Sequence, residues 1–189
     1  MKIVALLGSP HKDGNGAIAL SKFLEGAKTN NNEIITYGLY TLGIKNCLGC
    51  RRCIDNGGTC VINDDFNKIF ENIKTADTVI IESPIYINQV NGITKTFLDR
   101  CYPLTDEHHK PRFGKRNLVL ICTYAVPIPF IFSGYIRRTA KSLKAMGLIS
   151  KQTIIINGCT TIDKVKKNKK LCDKIFRLGD KIKTYKTLY

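Results

Sequence analysis

Four cysteines in one short segment are the residues whose types and spacing most clearly predict chemistry. They are Cys47, Cys50, Cys53 and Cys60, and they form the pattern C-x2-C-x2-C-x6-C. Thiolates are soft ligands that bind iron–sulfur clusters, zinc or Cu(I), and they also pair with one another. The segment therefore predicts metal binding or redox chemistry at these four positions.

Three interpretations of the cysteine segment are open on the residues alone. A 4Fe–4S cluster needs four thiolates, and the x2 intervals resemble those of ferredoxin-type sequences. Structural zinc also takes four cysteines, but commonly as two C-x2-C pairs that a longer stretch separates, so the crowding here favours the cluster. Free thiols or a redox-active pair are the third interpretation, since Arg51 and Arg52 would favour the thiolate form of a neighbouring cysteine.

The rest of the chain predicts an alternation of buried strands and helices. Strands are expected at residues 3–7, 33–39, 78–81, 118–122 and 153–156, and helices at 17–27, after an N-cap at 64, at 93–98 and at 133–146. This alternation is typical of a parallel sheet with helices on both faces. A ligand then lies beyond the carboxyl ends of the strands, which here are the loops after residues 7, 82 and 122. The cysteine segment follows the second strand and is expected at the same edge.

Composition predicts one domain over residues 1–189, with a cysteine-rich loop at about 44–62. Hydrophobic residues make up 43% of the chain, enough for a core without disulfide bonds. No apolar run approaches the roughly 18–20 residues that span a bilayer, so no membrane association is expected. The apolar N-terminal run is too short for a signal peptide and leads directly into a glycine loop, which favours a buried strand and a cytoplasmic protein. In a reducing cytosol, clustered cysteines more often serve metals or redox chemistry than structural disulfides.

The formal charge is +15, and part of the excess is a lysine run near the C-terminus. The run consists of Lys164, Lys166, Lys167, Lys169 and Lys170 and carries no interleaved aromatic residue. Because base-stacking surfaces need aromatic side chains, we interpret the run as the solvated face of a basic helix at about 163–187. A nucleic-acid partner is not expected.

The first loop, residues 8–16, has the sequence GSPHKDGNG between a strand and a helix. Backbone amides of such a loop and of the helix N-terminus form an anion site, to which Ser9 and Asn15 add donors and His11 or Lys12 adds charge. The pattern is neither G-x-G-x-x-G nor the Walker pattern, so dinucleotide and nucleoside-triphosphate sites are disfavoured.

The second loop, residues 83–92, contains Tyr86, which could stack on a flat ring or pack as an ordinary loop residue. The third loop, residues 123–127, has the same character.

Taken together, these motifs resemble the NADPH-dependent FMN reductase family, a branch of the flavodoxin-like fold that also includes quinone reductases. The resemblance rests on Gly8-Ser9-Pro10 with Gly14-Asn15, on Ser83-Pro84-Ile85-Tyr86, and on residues 92–100. The cysteine segment, continued by residues 60–65, is similar to the iron–sulfur flavoproteins of anaerobes. The resemblance covers residues 1 to about 160. It implies an α/β, flavodoxin-like three-layer sandwich with a five-stranded parallel sheet of order 2-1-3-4-5.

The resemblance also implies FMN, with its phosphate in the first loop and its ring against the second and third loops. The implied cofactor-binding residues are Ser9, His11, Asn15, Gly16, Ala17, Pro84, Ile85, Tyr86, Asn88, Thr123, Tyr124 and Ala125. The family usually has Arg where His11 stands and a hydroxyl residue, commonly Thr, where Gly16 stands. Loss of a guanidinium group and of a hydroxyl donor predicts a weaker grip on the phosphate.

The function implied is that of an FMN-dependent oxidoreductase, an electron-transfer flavoprotein whose four cysteines hold a 4Fe–4S cluster. A small carrier such as ferredoxin would exchange electrons with it, and NAD(P)H is a possible donor. The alternatives are a cluster-free NAD(P)H-dependent FMN or quinone reductase, and a non-catalytic flavin- or metal-binding redox sensor. A homodimer or homotetramer is implied. No side chain is expected to act as a general acid or base, because the flavin carries the chemistry.

Overall fold

The computed structural model describes residues 1–184. The strands are β1 (Lys2–Leu7), β2 (Glu33–Gly38), β3 (Thr78–Tyr86), β4 (Gln89–Val90), β5 (Arg116–Thr123) and β6 (Leu148–Ile156). The α-helices are α1 (Asn15–Lys28), α2 (Arg52–Asp55), α3 (Asp65–Lys74), α4 (Gly92–Arg100), α5 (Ser133–Lys144), α6 (Lys164–Lys167) and α7 (Lys169–Asp180). Single 3-10 turns lie at Leu39–Thr41, Tyr102–Leu104 and Lys181–Thr184.

Five parallel strands form the central sheet in the order β2-β1-β3-β5-β6. Counted along the chain as parallel strands, this is the predicted order 2-1-3-4-5, which is therefore confirmed. The sequence did not predict β4, which pairs antiparallel with the end of β3. Ile87 and Asn88 both adopt positive φ between these strands, as a tight hairpin turn requires, and β3 consequently runs on to Tyr86.

Two hydrophobic cores lie on opposite faces of the sheet, which gives three layers. In β1, Val4 and Leu6 pack into the core under α3, α4 and α5, while Ile3 and Ala5 pack into the core under α1 and α7. Because successive strand residues point to opposite faces, a strand covered on both sides needs an unbroken aliphatic run. This requirement explains why β1 was recognisable from sequence.

The basic helix predicted at about 163–187 is divided in the structure. Asn168 leaves the helical conformation, with ψ 84°, and its side chain accepts a hydrogen bond from the Leu171 N–H at 3.0 Å. It thus caps α7 and separates this helix from α6, because asparagine is a favourable N-cap. The lysines from 166 to 170 are exposed, as a solvated face requires. Residues 185–187 of the predicted helix lie outside the described residues.

The cysteine segment, predicted as a loop, is irregular apart from the single turn of α2.

Within residues 1–184, no helix has both the length and the apolar character needed to cross a bilayer.

Candidate functional site

A cavity of about 290 Å³ lies beyond the carboxyl ends of β1, β3 and β5. It brings together all but two of the residues that sequence predicted for the cofactor. Those in its lining are Ser9, His11, Asn15, Gly16, Pro84, Ile85, Tyr86, Thr123, Tyr124 and Ala125. The three predicted loops therefore meet at one place, although the first and the third are more than 100 residues apart in the chain.

Ala17 and Asn88 are the two predicted residues outside this lining. Ala17 is buried one position further along α1 and borders a different groove, beside Leu7 and Leu20. The turn of the helix carries its side chain away from Gly16 and from the cavity. Asn88 is exposed in the β3–β4 turn.

One wall of the cavity was missed by sequence reasoning and comes from the segment after β6. It consists of Cys159, Thr160, Thr161 and Ile162. Asn15 ties this segment to α1, because its Nδ2 donates to the Thr161 carbonyl at 2.6 Å and its Oδ1 accepts from the Val165 N–H at 2.8 Å. The side chain of Asn15, expected to donate to an anion, thus holds the wall of the site. Its partners lie about 150 residues away, and no local pattern predicts them.

The first loop is arranged to present backbone amides. Its last residue before α1, Gly14, is extended and provides no side-chain cap, and the first turn of the helix carries no acidic residue. The Ser9 hydroxyl accepts from the His11 N–H at 3.2 Å, and Gly14 donates its N–H to the His11 carbonyl at 3.0 Å. A helix N-terminus without a protein cap is a suitable site for a phosphate group.

Glu82 lies directly behind this loop and was not recognised as a site residue. Its side chain is fully buried, and Oε2 accepts a hydrogen bond from the Ser9 N–H at 3.0 Å. Burial raises the pKa of Glu82 to about 7, although hydrogen bonds from Ser9 and Gly8 act in the opposite direction. Its other oxygen, Oε1, has no hydrogen-bond partner in the described residues. A glutamate that ends the aliphatic run of β3 was the only sequence signal.

Glu82 also explains the unusual glycine at position 16. A Cβ placed on Gly16 would overlap Glu82 Oε1. The threonine that is common at this position in the family that the sequence resembles would therefore clash with the carboxyl group of Glu82 in its present position.

Asn91 connects the first and second loops. Its Nδ2 donates to the Gly8 carbonyl at 2.7 Å, while its Oδ1 accepts from the Thr94 N–H at 3.1 Å and so caps α4.

The two tyrosines predicted beside the ring differ in position. Tyr86 is half-exposed at the rim, whereas Tyr124 is buried edge-on against Phe132, with ring centroids 4.8 Å apart. Of these two tyrosines, Tyr86 has the more exposed ring, on which a planar ligand could stack.

A second cavity, of about 430 Å³, is lined by all four cysteines of the predicted metal site. Cys47 and Cys50 are exposed, Cys53 and Cys60 are partly buried, and all four are free thiols. Hydrogen bonds from the backbone and then the side chain of Arg52 lower the pKa of Cys50. Burial, followed by the charges of Cys60, Cys47 and Cys50, raises the pKa of Cys53. The four thiols are thus close enough to influence one another.

These thiols do not form a ready-made site for a single metal ion. Across residues 1–184, no three Cys, His, Asp or Glu side chains converge closely enough to hold one. Tetrahedral zinc, with Zn–S bonds of about 2.3 Å, would need its sulfur atoms in mutual contact. The prediction of a metal centre at these cysteines stays a prediction.

Arg100 holds the cysteine segment at both ends. Its guanidinium group donates to the Lys45 carbonyl at 2.8 Å and to the Ile62 carbonyl at 3.3 Å, and it forms a two-point ion pair with Asp64. Arg100 Nε is buried without a hydrogen-bond partner among the described residues, and Cys60 is among the groups whose charge acts on this side chain. The cavity therefore offers four thiols beside a buried guanidinium group that is paired with Asp64, and four thiols match the ligand number of an iron–sulfur cluster.

The two cavities lie at opposite ends of α4, whereas the sequence predicted the cysteine segment at the same sheet edge as the three loops. Asn91, at the N-terminus of α4, contacts the first loop, whereas Asp99 and Arg100, at its C-terminus, line the cysteine cavity. The nine residues of this helix span about 13 Å. The cysteine segment leaves the sheet edge after β2 and then runs along α4, where Thr96 donates to Asn46 at 3.2 Å.

Comparison with known proteins agrees with this architecture. The chain is 33% identical over 150 residues to an iron–sulfur flavoprotein of Archaeoglobus fulgidus, a match that covers 79% of this chain and 65% of that protein. It is 33% identical over 119 residues to the iron–sulfur flavoprotein of Methanosarcina thermophila, covering 63% of this chain and 60% of that protein. The chain thus spans less than two thirds of the length of these relatives.

Solved structures confirm the predicted flavodoxin-like fold. An NAD(P)H:quinone oxidoreductase from Methanothermobacter marburgensis superposes with a TM-score of 0.75 at 16% identity, over 98% of both chains. An FMN-dependent NADH-azoreductase from Bacillus anthracis, in complex with FMN, superposes with a TM-score of 0.72 at 12% identity, over 96% of this chain and 99% of that one.

The sequence model of the NADPH-dependent FMN reductase family matches residues 1–126, the part of the chain that contains the first two loops, the cysteine segment and the third loop as far as residue 126. The chain therefore belongs to the NADPH-dependent FMN reductase family.

Proposed function

We propose that this chain is an FMN-dependent oxidoreductase that holds FMN in the cavity at the carboxyl edge of its sheet. The observation that carries the proposal is the convergence of the three loops on that cavity, in a chain of this family. Bound FMN would supply the redox chemistry, since its ring exchanges one or two electrons.

The first loop suits the phosphate end of the cofactor. The uncapped N-terminus of α1 directs backbone N–H groups at the cavity, and the partial positive charge of the helix end favours an anion there. Ser9 and His11 line the same region and offer a hydroxyl and an imidazole. The role of these residues is to bind and orient the phosphate.

The second and third loops suit the ring. Pro84 and Ile85 are buried, whereas Tyr86 presents its ring at the rim. These side chains would exclude water from one side of a planar ligand, and nearby backbone groups would meet its polar edge. The chain's own residues thus position the cofactor, and no side chain is assigned as a proton donor or acceptor for the substrate.

NAD(P)H is the donor proposed for this site, and a homodimer or homotetramer is the proposed assembly. Large apolar side chains that follow the cavity-lining residues of the second and third loops support an assembly, because Ile87, Phe130 and Ile128 are 94%, 73% and 57% exposed. Apolar groups in such numbers beside a binding site are typical of a surface that another subunit covers. The cytoplasmic location predicted from the sequence stays a prediction.

The finer proposal is that Cys47, Cys50, Cys53 and Cys60 hold a 4Fe–4S cluster, through which a carrier such as ferredoxin reaches the flavin. Support comes from the shared cavity, the buried cation of Arg100 and the iron–sulfur flavoproteins among the relatives. Because the thiols do not converge in the structure, the exposed part of the segment would have to close around the cluster.

The test is anaerobic purification followed by an absorbance spectrum and by quantification of FMN, iron and acid-labile sulfide per chain. The proposal expects flavin bands with about four irons and four sulfides per chain. FMN with background iron would favour the cluster-free NAD(P)H-dependent FMN or quinone reductase, a candidate that the separation of the thiols supports. Bound flavin that NAD(P)H and reduced ferredoxin both fail to reduce would favour a redox sensor. Absence of flavin would contradict the function altogether.

A further inference from the structure

Glu82 places an ionisable group immediately behind the anion loop. Its Oε2 accepts the hydrogen bond of the Ser9 N–H, one of the amides that the loop would otherwise direct at an anion. Its Oε1 lies against Gly16 without a hydrogen-bond partner, in space that is open only because residue 16 has no Cβ. Ser9 and Gly16 both line the cavity, so the carboxyl group is separated from a bound anion by one layer of backbone.

Among the described residues, no cation is paired with the carboxyl group of Glu82. One oxygen meets an amide and the other meets no partner, so within residues 1–184 the carboxyl group has no ion pair. β5 contributes the thiol of Cys122. Burial raises the pKa of this thiol to about 12, and the charge of Glu82 acts in the same direction. The segment after β6 contributes Cys159, whose pKa is raised mainly by burial, with Lys164 acting to lower it. From α4 comes the hydroxyl of Thr94, also buried without a partner.

Within residues 1–184, the other ionisable side chains that line the cavity are the phenols of Tyr86 and Tyr124 and the imidazole of His11. His11, Lys12 and Asp13 are exposed, and of these three only His11 lines the cavity. An ionised Glu82 would therefore oppose a phosphate dianion across a buried layer in which charges are weakly screened.

We propose that Glu82 couples occupancy of the anion site to the uptake of one proton, so that the loop holds the phosphate of its ligand together with a neutral Glu82. The inference rests on the proposed function, since it takes FMN as the ligand. The proton comes from solvent and is bound by the carboxylate when the phosphate enters. The raised pKa of Glu82 places this exchange near neutral pH. A phosphomonoester, whose second pKa is about 6, is already a dianion above pH 7 and does not itself account for an uptake there.

The experiment titrates the flavin-free full chain with FMN and with riboflavin, which shares the ring but lacks the phosphate. Quenching of flavin fluorescence gives the dissociation constants from pH 7 to 9. Calorimetry at pH 8 in buffers of different ionisation enthalpy gives the number of protons taken up. We expect nearly one proton per FMN and none per riboflavin, and an FMN dissociation constant that rises about tenfold between pH 7.5 and 8.5.

Three variants separate the groups that could take up the proton. Glu82→Gln should abolish the uptake and bind FMN about tenfold more tightly than the unmodified chain at pH 8, because the amide cannot ionise. Glu33→Gln, the same charge change at an exposed position of β2, should leave both quantities unchanged. His11→Gln should weaken FMN binding but keep the uptake, whereas loss of the uptake in this variant would assign the proton to the histidine and overturn the inference.

If Glu82→Gln does not fold, the measurements on the unmodified chain still test the inference. FMN binding without proton uptake, or with the same pH dependence as riboflavin binding, overturns the inference and leaves the proposed function standing. Binding of neither flavin overturns the proposed function and the inference with it.

Discussion

Arg100 and Asp64 form a two-point ion pair that is almost entirely removed from solvent. The distances are 2.6 Å from Nη1 to Oδ2 and 3.0 Å from Nη2 to Oδ1, and the two side chains are 1% and 4% exposed. Asp64 also caps α3 by accepting from the Phe66 N–H, and the guanidinium group lies over the Phe66 ring, 4.6 Å from its centroid. The pair therefore joins α3, α4 and both ends of the cysteine segment.

Breaking this pair from one side should be costly. We expect Arg100→Met to lower the free energy of unfolding by about 3–5 kcal/mol, because the variant leaves the Asp64 carboxylate buried without its counter-charge. Urea unfolding followed by circular dichroism measures the change. The thiols of the cysteine segment should also react faster with a maleimide in this variant, since the carbonyls of Lys45 and Ile62 lose their donor.

Lys95 and Asp99 provide a matched control on the same helix. They form an exposed ion pair at 2.6 Å, with side chains 51% and 49% exposed. Lys95→Met should change the stability by less than about 1 kcal/mol, because exposed pairs contribute little. If both variants lost the same free energy of unfolding, burial would not make the Arg100–Asp64 pair more stabilising than an exposed pair.

The layers and strand order were accessible from the sequence because they depend on local and repeated signals. A strand buried on both faces needs an unbroken aliphatic run, as in β1, and a helix start needs a cap, as at Asp64. The right-handed crossover rule then restricts the possible strand orders. The β4 hairpin was missed because its turn uses Ile87 and Asn88 at positive φ, a conformation that isoleucine rarely adopts and that sequence therefore does not predict.

The site was predictable where a loop follows a strand and unpredictable where distant segments meet. Ser9 and Tyr124 follow the ends of β1 and β5, and Tyr86 is the last residue of β3, so the sheet edge alone places them together. Asn15 instead finds its partners about 150 residues away, and Glu82 acquires its role only because the Ser9 amide and Gly16 pack against it. Such contacts are properties of the folded chain and leave no local pattern.

Glu82 should make the flavin-free chain less stable as the pH rises towards neutrality. Its pKa of about 7 in the folded chain exceeds the ordinary value of 4.5, so the folded state binds more protons between these values. The stabilisation is complete below pH 4.5, is lost as the pH rises to about 7, and amounts to on the order of 3 kcal/mol. Urea unfolding at intervals from pH 4.5 to 8 measures the slope.

The same measurement on Glu82→Gln supplies the control for this slope. The variant cannot ionise at position 82, so its stability should be nearly flat across the window. Asp64 does not interfere with this measurement. Burial acts to raise its pKa, but hydrogen bonds from Arg100 and the Lys45 N–H outweigh burial, so the pKa is lowered overall. The stabilisation that Asp64 contributes is therefore lost only as the pH falls below about 4. A slope that persists in Glu82→Gln would assign the effect to other groups.

Gly16 and Glu82 should show strong coupling in a double-mutant cycle. Gly16→Thr introduces a Cβ that overlaps Glu82 Oε1, and we expect a loss of about 2–4 kcal/mol from the resulting strain and displaced carboxyl group. In a Glu82→Ala background the same threonine has room, so the loss should fall by about 1–3 kcal/mol. Thermal or urea unfolding of the four chains gives the coupling energy, and additive losses would mean that the two side chains do not share this space.

The cysteine segment and the flavin cavity should lose their cofactors independently. Their linings share no residue and lie at opposite ends of α4, so a change at one has no direct path to the other. On the proposed four-cysteine cluster, Cys53→Ser should therefore reduce iron from about four atoms per chain to background while FMN per chain stays constant. Cys172→Ser is the matched control, because this buried cysteine lies in α7, away from both cavities, and a serine hydroxyl can replace its hydrogen bond to the Val165 carbonyl. Iron that survives in Cys53→Ser would contradict the four-cysteine ligand set, and a parallel loss of FMN would contradict the independence of the two sites.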